Sequence, residues 1–216
     1  MRKDPLKNGC LYHICTKSIA GYVIFRSHDD YSRMKEMMKY YALDNPPVKY
    51  SLYEKLILSG NIRPFQELSN KEYLVEIIAY CIMPTHIHLI LCQLKDEGIS
   101  IYMKTLLDSY TRYFNIKNNR KGPLWQGRFK SILIQTDEQL IHLTRYIHLN
   151  PTSDNLVDKP ENWKYSSYNE YLDKGDAFLC AFQKYIKIDP RSYKAFVGER
   201  RDYQKKLAEI KHLCLE

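Results

Sequence analysis

Two histidines separated by one apolar residue lie in the stretch Met83-Pro84-Thr85-His86-Ile87-His88-Leu89-Ile90-Leu91. On a β-strand, residues i and i+2 point to the same face. His86 and His88 would then project together, with Ile87, Leu89 and Leu91 on the other side. Two neutral imidazole nitrogens on a rigid strand can serve one divalent metal. A second group follows in Tyr146-Ile147-His148-Leu149-Asn150, ahead of Pro151. A tyrosine and an amide four residues apart share one face of a helix. Taken with the histidine pair, they suggest a metal-assisted tyrosine nucleophile.

Other residues compete for these roles. Tyr110 and Tyr113 are rival nucleophiles, although Tyr110 fits the buried stripe of its own helix. His142 lies one turn before Tyr146, and His148 lies roughly opposite; His142 reads best as a surface histidine. Trp125 could stack on a base or serve the core. Arg112, Arg120, Lys121, Arg128, Lys130 and Arg145, with Gln126, are candidate nucleic-acid contacts.

The elements that must position these groups can be read along the chain. Leu11 to Ser18 is an expected strand, which Tyr22 to Phe25 extends or returns. Asp29 or Asp30 can cap a helix to about Leu43, with Tyr31, Met34, Met38 and Tyr41 on one stripe. Asn45-Pro46-Pro47 breaks it. Tyr50 to Leu58 can form a short helix, and Ile62 to Lys71 reads as loop. Leu74 to Ile82 is a strongly apolar strand. The strand of the two histidines, about Thr85 to Cys92, follows too closely for a crossover, so the pair should be antiparallel.

Ser100 is a plausible cap for a helix to about Lys117, with Tyr102, Met103, Leu106, Leu107, Tyr110 and Phe114 on its buried stripe. Leu124 to Gln135 reads as a strand with a bulge at Gly127. Thr136-Asp137-Glu138-Gln139 is a capping box. It opens a helix that Pro151 should end near Asn150, with Leu140, Leu143, Thr144 and Ile147 inward. Trp163 and Tyr165 to Tyr168 should pack back on the domain. From Asp176 onward the pattern suggests basic amphipathic helices, with Tyr193, Phe196, Leu207 and Ile210 against Arg200, Arg201, Lys205 and Lys206. The order strand, helix, strand, strand, helix, strand, helix predicts an α+β fold. It is a ferredoxin-like split βαβ sandwich: an antiparallel sheet with helices on one face, plus a helical C-terminal extension.

The chain of 216 residues has room for one domain and an appendage. Lys and Arg number 33 against 25 acidic residues, a net charge of +8 that favours a polyanionic partner. The 19 tyrosines, set among cations, suit stacking on unpaired bases, although most should be structural. No apolar run reaches membrane-spanning length. Met1-Arg2-Lys3-Asp4-Pro5 opens no export signal, which points to a cytoplasmic protein. The six cysteines form no C-x-x-C pair and read as reduced, mostly buried thiols.

Four ordered motifs carry a family resemblance. Met83-Pro84-Thr85-His86-Ile87-His88, Leu124-Trp125-Gln126-Gly127-Arg128-Phe129, Tyr146-Ile147-His148-Leu149-Asn150-Pro151 and Trp163-Lys164-Tyr165-Ser166-Ser167 resemble the single-tyrosine HUH transposases. Within that group the REP-associated tyrosine transposases and their insertion-sequence relatives are most similar, from about Val75 to Tyr168. The resemblance implies His86 and His88 as the metal pair, Tyr146 as nucleophile and Asn150 as the residue completing the metal site. It implies nicking and rejoining of single-stranded DNA near a hairpin through a 5′-phosphotyrosine. Mg²⁺ or Mn²⁺ is the expected cofactor, and a homodimer is compatible with the pattern.

Three departures stand out: Thr85 replaces the usual asparagine, the 43–71 connection is long, and the C-terminal extension has no counterpart. The domain reading is therefore 1–172 for the transposase-like unit, with 43–71 as an insertion, and 173–216 for the extension. The rival readings are a replication-initiator or relaxase-like HUH nickase, a hairpin-binding regulator without strand transfer, and an RNA-binding split-βαβ module. The last would need aromatics on the sheet where two histidines stand.

Overall fold

The computed structural model describes residues 5–60, 72–174 and 179–201. Four strands, β1 (Leu11–Lys17), β2 (Val75–Met83), β3 (His86–Gln93) and β4 (Lys130–Ile134), make a sheet of order β2-β3-β1-β4. Every neighbouring pair is antiparallel. With α1 (His28–Tyr41) and α3 (Gly98–Lys117) the chain runs β1-α1-β2-β3-α3-β4, the expected split βαβ order. The short helix α2 (Tyr50–Leu58) falls in the long connection between α1 and β2. Only Pro84 and Thr85 separate β2 from β3, too little chain for anything but a hairpin. The outer edge of β2 is covered by the returning chain. There the Ile82 amide donates to the Tyr165 carbonyl and the Ser167 amide to the Tyr80 carbonyl, each at 2.9 Å.

Register decides what each face carries. Cys15 lies opposite His88, Lys17 opposite His86, and Tyr80 opposite Leu89. Ile14, Tyr80 and Leu89 are fully buried on the side of α1, whose Lys35 ammonium stands 5.8 Å from the Tyr80 ring centroid. The other face carries the histidines. Over it lies α4 (Asp137–Ser153), which brings the Tyr146 ring to the His88 ring, so this face is partly covered rather than left bare.

Several boundaries differ from the sequence expectation. Ser27, not Asp29 or Asp30, caps α1; Asp30 is the third helical residue and returns the capping bond, its Oδ2 accepting from the Ser27 amide at 3.1 Å. Tyr22 to Phe25 is not a strand: Ile24 and Phe25 both donate their amides to the Pro84 carbonyl. α3 starts at Gly98 rather than after Ser100, because Gln93 Oε1 accepts the Ile99 amide and does a cap's work from a neighbouring strand. The strand expected from Leu124 begins only at Lys130; Gly127, at φ 75°, breaks the extended run instead of bulging it.

α4 also continues through Pro151 to Ser153. Proline there removes the amide that would reach the Ile147 carbonyl. The helix carries on because Thr152 and Ser153 hydroxyls donate to the Leu149 carbonyl at 2.8 and 3.0 Å, and the Asp154 amide to Asn150.

The short helix α5 (Tyr168–Tyr171) and α6 (Pro190–Gly198) complete the described fold. Asp189 Oδ1 caps α6 by accepting from the Arg191 and Ser192 amides. α6 buries Tyr193 and Val197 completely. His148, fully enclosed on α4, sits 2.7 Å from Tyr193 Oη through Nδ1 and 2.7 Å from Ser167 Oγ through Nε2. The expected loop at Ile62 to Lys71 and the positions Lys205, Lys206, Leu207, Ile210 and Cys214 lie outside the described residues. Among the described residues no helix is long and apolar enough to cross a membrane, and no cysteine is paired.

Candidate active site

β3 fixes the two histidines through its own alternation. Their rings stand nearly perpendicular, at 87°, with centroids 5.0 Å apart. His86 Nδ1 lies 3.0 Å from Thr85 Oγ1, so the residue replacing the usual asparagine engages the first histidine. His88 Nδ1 lies 3.1 Å from Nε2 of His13 on β1. With both Nδ1 atoms engaged, the Nε2 atoms are the ones left to bind a cation.

α4 delivers the tyrosine. The Tyr146 ring meets His88 edge-on with centroids 5.7 Å apart, and His13 at 6.4 Å. Tyr146 keeps 37% of its surface exposed, while Asn150, one turn on, is buried. Asn150 Nδ2 donates to the Tyr146 carbonyl at 3.1 Å, leaving its Oδ1 as acceptor.

Burial sets the protonation states. It lowers His86 to about 4, helped by the Lys17 charge, and lowers His13 to about 4. His88 is pushed far below its ordinary value, first by burial and then by His86, His13 and Lys17. All three imidazoles are neutral near pH 7, the form that ligates metal. Burial raises the Tyr146 phenol, against a smaller opposing effect of an Asn150 hydrogen bond. The resting tyrosine is therefore a phenol, not a phenolate.

No three His, Cys, Asp or Glu side chains gather into a metal cluster among the described residues. The expected donors are of another kind: two neutral imidazole nitrogens and one amide oxygen. Both ring nitrogens have a partner on the reverse side, as ligating histidines generally do. Those donor types suit a divalent cation.

The expected nucleic-acid contacts scatter. Lys130 is opposite Cys15 on β4 and so shares the histidine face. Arg128, Gln126 and Lys121 are exposed. Arg112 is exposed on α3, which packs with α1. Arg120 is committed to its own turn, donating to Asn115 Oδ1 and to the Gly122 and Pro123 carbonyls. Arg145 turns toward α6, with its guanidinium 4.1 Å from the Phe196 centroid and a bond to the Phe196 carbonyl. Trp125 is buried, its indole N–H donating to the Leu107 carbonyl, so it belongs to the core and not to a stacking surface.

Tyr110 is fully buried with its hydroxyl on the Ile24 carbonyl, and Tyr113 bonds to Asp30, which removes both from the histidine face. His142 is exposed beside Arg145, and His148 is core. Three residues at the site were not singled out in the sequence: His13, Cys15 and Lys17. Alternation puts the three on one face of β1, but only the pairing of β1 with β3 brings that face beside His86 and His88.

This assembly of a split-βαβ sheet, a histidine pair and a helical tyrosine defines a class. Residues 52–150, a little under half of the chain, match the family model described as Transposase IS200 like. A Haemophilus influenzae protein named "Putative REP-associated tyrosine transposase" is 33% identical over 110 residues, an alignment covering 46% of this chain and 62% of that protein. The chain thus spans a little under two thirds of that relative's length. A solved structure of a REP-associated tyrosine transposase bound to a REP hairpin superposes with a TM-score of 0.55 at 16% identity. It covers 87% of this chain and 98% of that one, a likeness of fold.

Proposed function

We propose that this protein is a metal-dependent DNA transposase that nicks and rejoins single-stranded DNA near a hairpin. Tyr146 is the nucleophile, and His86, His88 and Asn150 are the ligands of Mg²⁺ or Mn²⁺. The transposase-like unit is 1–172, with 43–71 inserted and 173–216 appended. The observation that carries this reading is the approach of Tyr146 on α4 to His88 on β3, from elements far apart in the chain. The relative structure bound to a REP hairpin supports hairpin DNA as the partner class.

In the proposed reaction the Tyr146 hydroxyl attacks a backbone phosphorus, forming an O–P bond and losing its proton. The P–O3′ bond breaks, the 3′ oxygen leaves as a hydroxyl, and the 5′ phosphate stays on the tyrosine. Attack by a 3′ hydroxyl reverses the step, so rejoining needs no nucleotide triphosphate. A bound divalent cation supplies charge neutralisation at the phosphate. Because Tyr146 rests protonated, the phenol must shed its proton as the bond to phosphorus forms. Lys17 and Lys130 on the same face are placed to hold neighbouring phosphates, as part of a cationic rim.

The test incubates the full chain with end-labelled single-stranded hairpins and Mg²⁺ or Mn²⁺, and looks for a denaturation-resistant adduct. The expected adduct carries the downstream strand by its 5′ end and disappears in Tyr146→Phe, which still folds and binds DNA. Nicking by the phenylalanine variant, or an adduct mapped to Tyr110 or Tyr113, refutes the assignment.

A further inference from the structure

We propose that His13 is a positioning residue of the cation site, acting through His88 as Thr85 acts through His86. The inference rests on the metal reading above and extends it to a residue on a different strand. A histidine that offers Nε2 to a cation needs its lone pair there, so its one ring proton must sit on Nδ1. His88 Nδ1 faces His13 Nε2 at 3.1 Å. For the pair to be bonded in the metal-competent state, His88 donates and His13 accepts. His13 must therefore hold its own proton on Nδ1. The contact thus selects one tautomer of each ring.

The surroundings make this selection firm. His13 keeps 9% of its surface exposed and His88 5%, so water competes little for either nitrogen. Their rings lie within 17° of parallel with centroids 5.3 Å apart, and both abut the Tyr146 ring edge-on. β1 and β3 are direct neighbours in the sheet, with Ile14 opposite Leu89, so the reach between the rings is fixed by backbone pairing. Partners of this kind orient ligating imidazoles, and losing one weakens metal affinity by roughly 10–100-fold.

The experiment titrates Mn²⁺ into the full chain and reads unbound metal by electron paramagnetic resonance, with and without a hairpin oligonucleotide. His13→Phe keeps a ring and removes the acceptor, and should weaken binding by roughly 10–100-fold. His13→Gln restores an acceptor and should recover most of the loss, which a merely space-filling role would not produce. Thr85→Val should weaken binding in parallel, through His86. Equal affinity of wild type and His13→Phe overturns the inference while leaving the metal site standing. A wild type that binds no better than His86→Ala or His88→Ala overturns the metal reading and this inference with it.

Nitrogen resonances of ¹⁵N-histidine in the wild type give an answer independent of whether any variant folds. At pH 7.5 His88 should be protonated at Nδ1 and bare at Nε2, and the reverse tautomer refutes the proposal. Three ring nitrogens coupled directly to bound Mn²⁺ would make His13 a ligand instead, and would equally refute it.

Discussion

Replacing His148 by glutamine should change both the stability of the protein and the way stability responds to pH. His148 is fully buried in α4 and bonded through both nitrogens, to Tyr193 and to Ser167. Glutamine can keep one of these bonds, so at pH 7.5 the variant should be less stable by roughly 1–3 kcal/mol. Burial lowers the imidazole from 6.5 to about 3. A histidine held neutral in the fold contributes stability above its unfolded pKa, and that contribution is lost as pH falls, because the unfolded chain takes up the proton and the fold does not. The window runs from about 6.5 down to about 3. At about 1.4 kcal/mol per pH unit, the single group costs the wild type about 2 kcal/mol at pH 5. The glutamine variant lacks that cost, so its deficit should shrink or vanish there. Urea denaturation at the two pH values, followed by circular dichroism, measures both differences. If the deficit is the same at pH 5 as at pH 7.5, His148 is not held neutral by burial and the reasoning fails.

Other outcomes can be stated more briefly. His86→Ala and His88→Ala should each abolish cleavage of a hairpin substrate while leaving its binding intact, as gel shift and cleavage assays on one preparation would show; loss of both would mark the pair as structural. Lys17→Ala and Lys130→Ala should each weaken binding of single-stranded DNA, and each should reduce the slope of log affinity against log salt by about 0.7. An unchanged slope would take that lysine off the DNA path. Trp125→Ala should lower unfolding free energy by roughly 3–5 kcal/mol, since it empties a buried site. It should leave DNA affinity unaltered at a temperature where the protein stays folded, and a selective loss of affinity would restore Trp125 to the binding surface.

The shared faces were more legible than the boundaries. His86 and His88, and Tyr146 and Asn150, stood out as candidates because short spacing is translated by a strand or a helix directly into a shared face. His13 was hidden because its value comes from lying opposite the histidine strand, and strand pairing is not written in any local window. The start of α3 escaped for a similar reason. Ser100 satisfies the local rule for a cap, yet the amide of Ile99 is met by Gln93 at the end of β3. A Cβ on Gly98 would also stand 2.4 Å from the Leu74 carbonyl oxygen, so close packing, not helix punctuation, explains that glycine. Pro151 misled in the opposite direction: a residue that usually stops a helix is carried here by hydroxyl groups that close the last turn. Trp125 and Arg120 show why basic and aromatic residues near a motif are poor guides singly, since both spend their polar groups on the protein's own carbonyls.

The brace on α4 has a consequence for the order in which activity can arise during synthesis. Thr144 and His148 lie on either side of Tyr146 in the sequence, and both are bonded to Tyr193. A chain is made from its N-terminus at about 5–20 residues per second, so the histidines and the tyrosine are joined to the chain seconds before Tyr193 is. During that interval α4 lacks the Tyr193 hydroxyl to which Thr144 and His148 bond. A nascent chain interrupted before Asp189 would carry every residue of the proposed site without the fastening that holds one of them in register. Chains truncated before Asp189 are therefore expected to lack the proposed DNA cleavage.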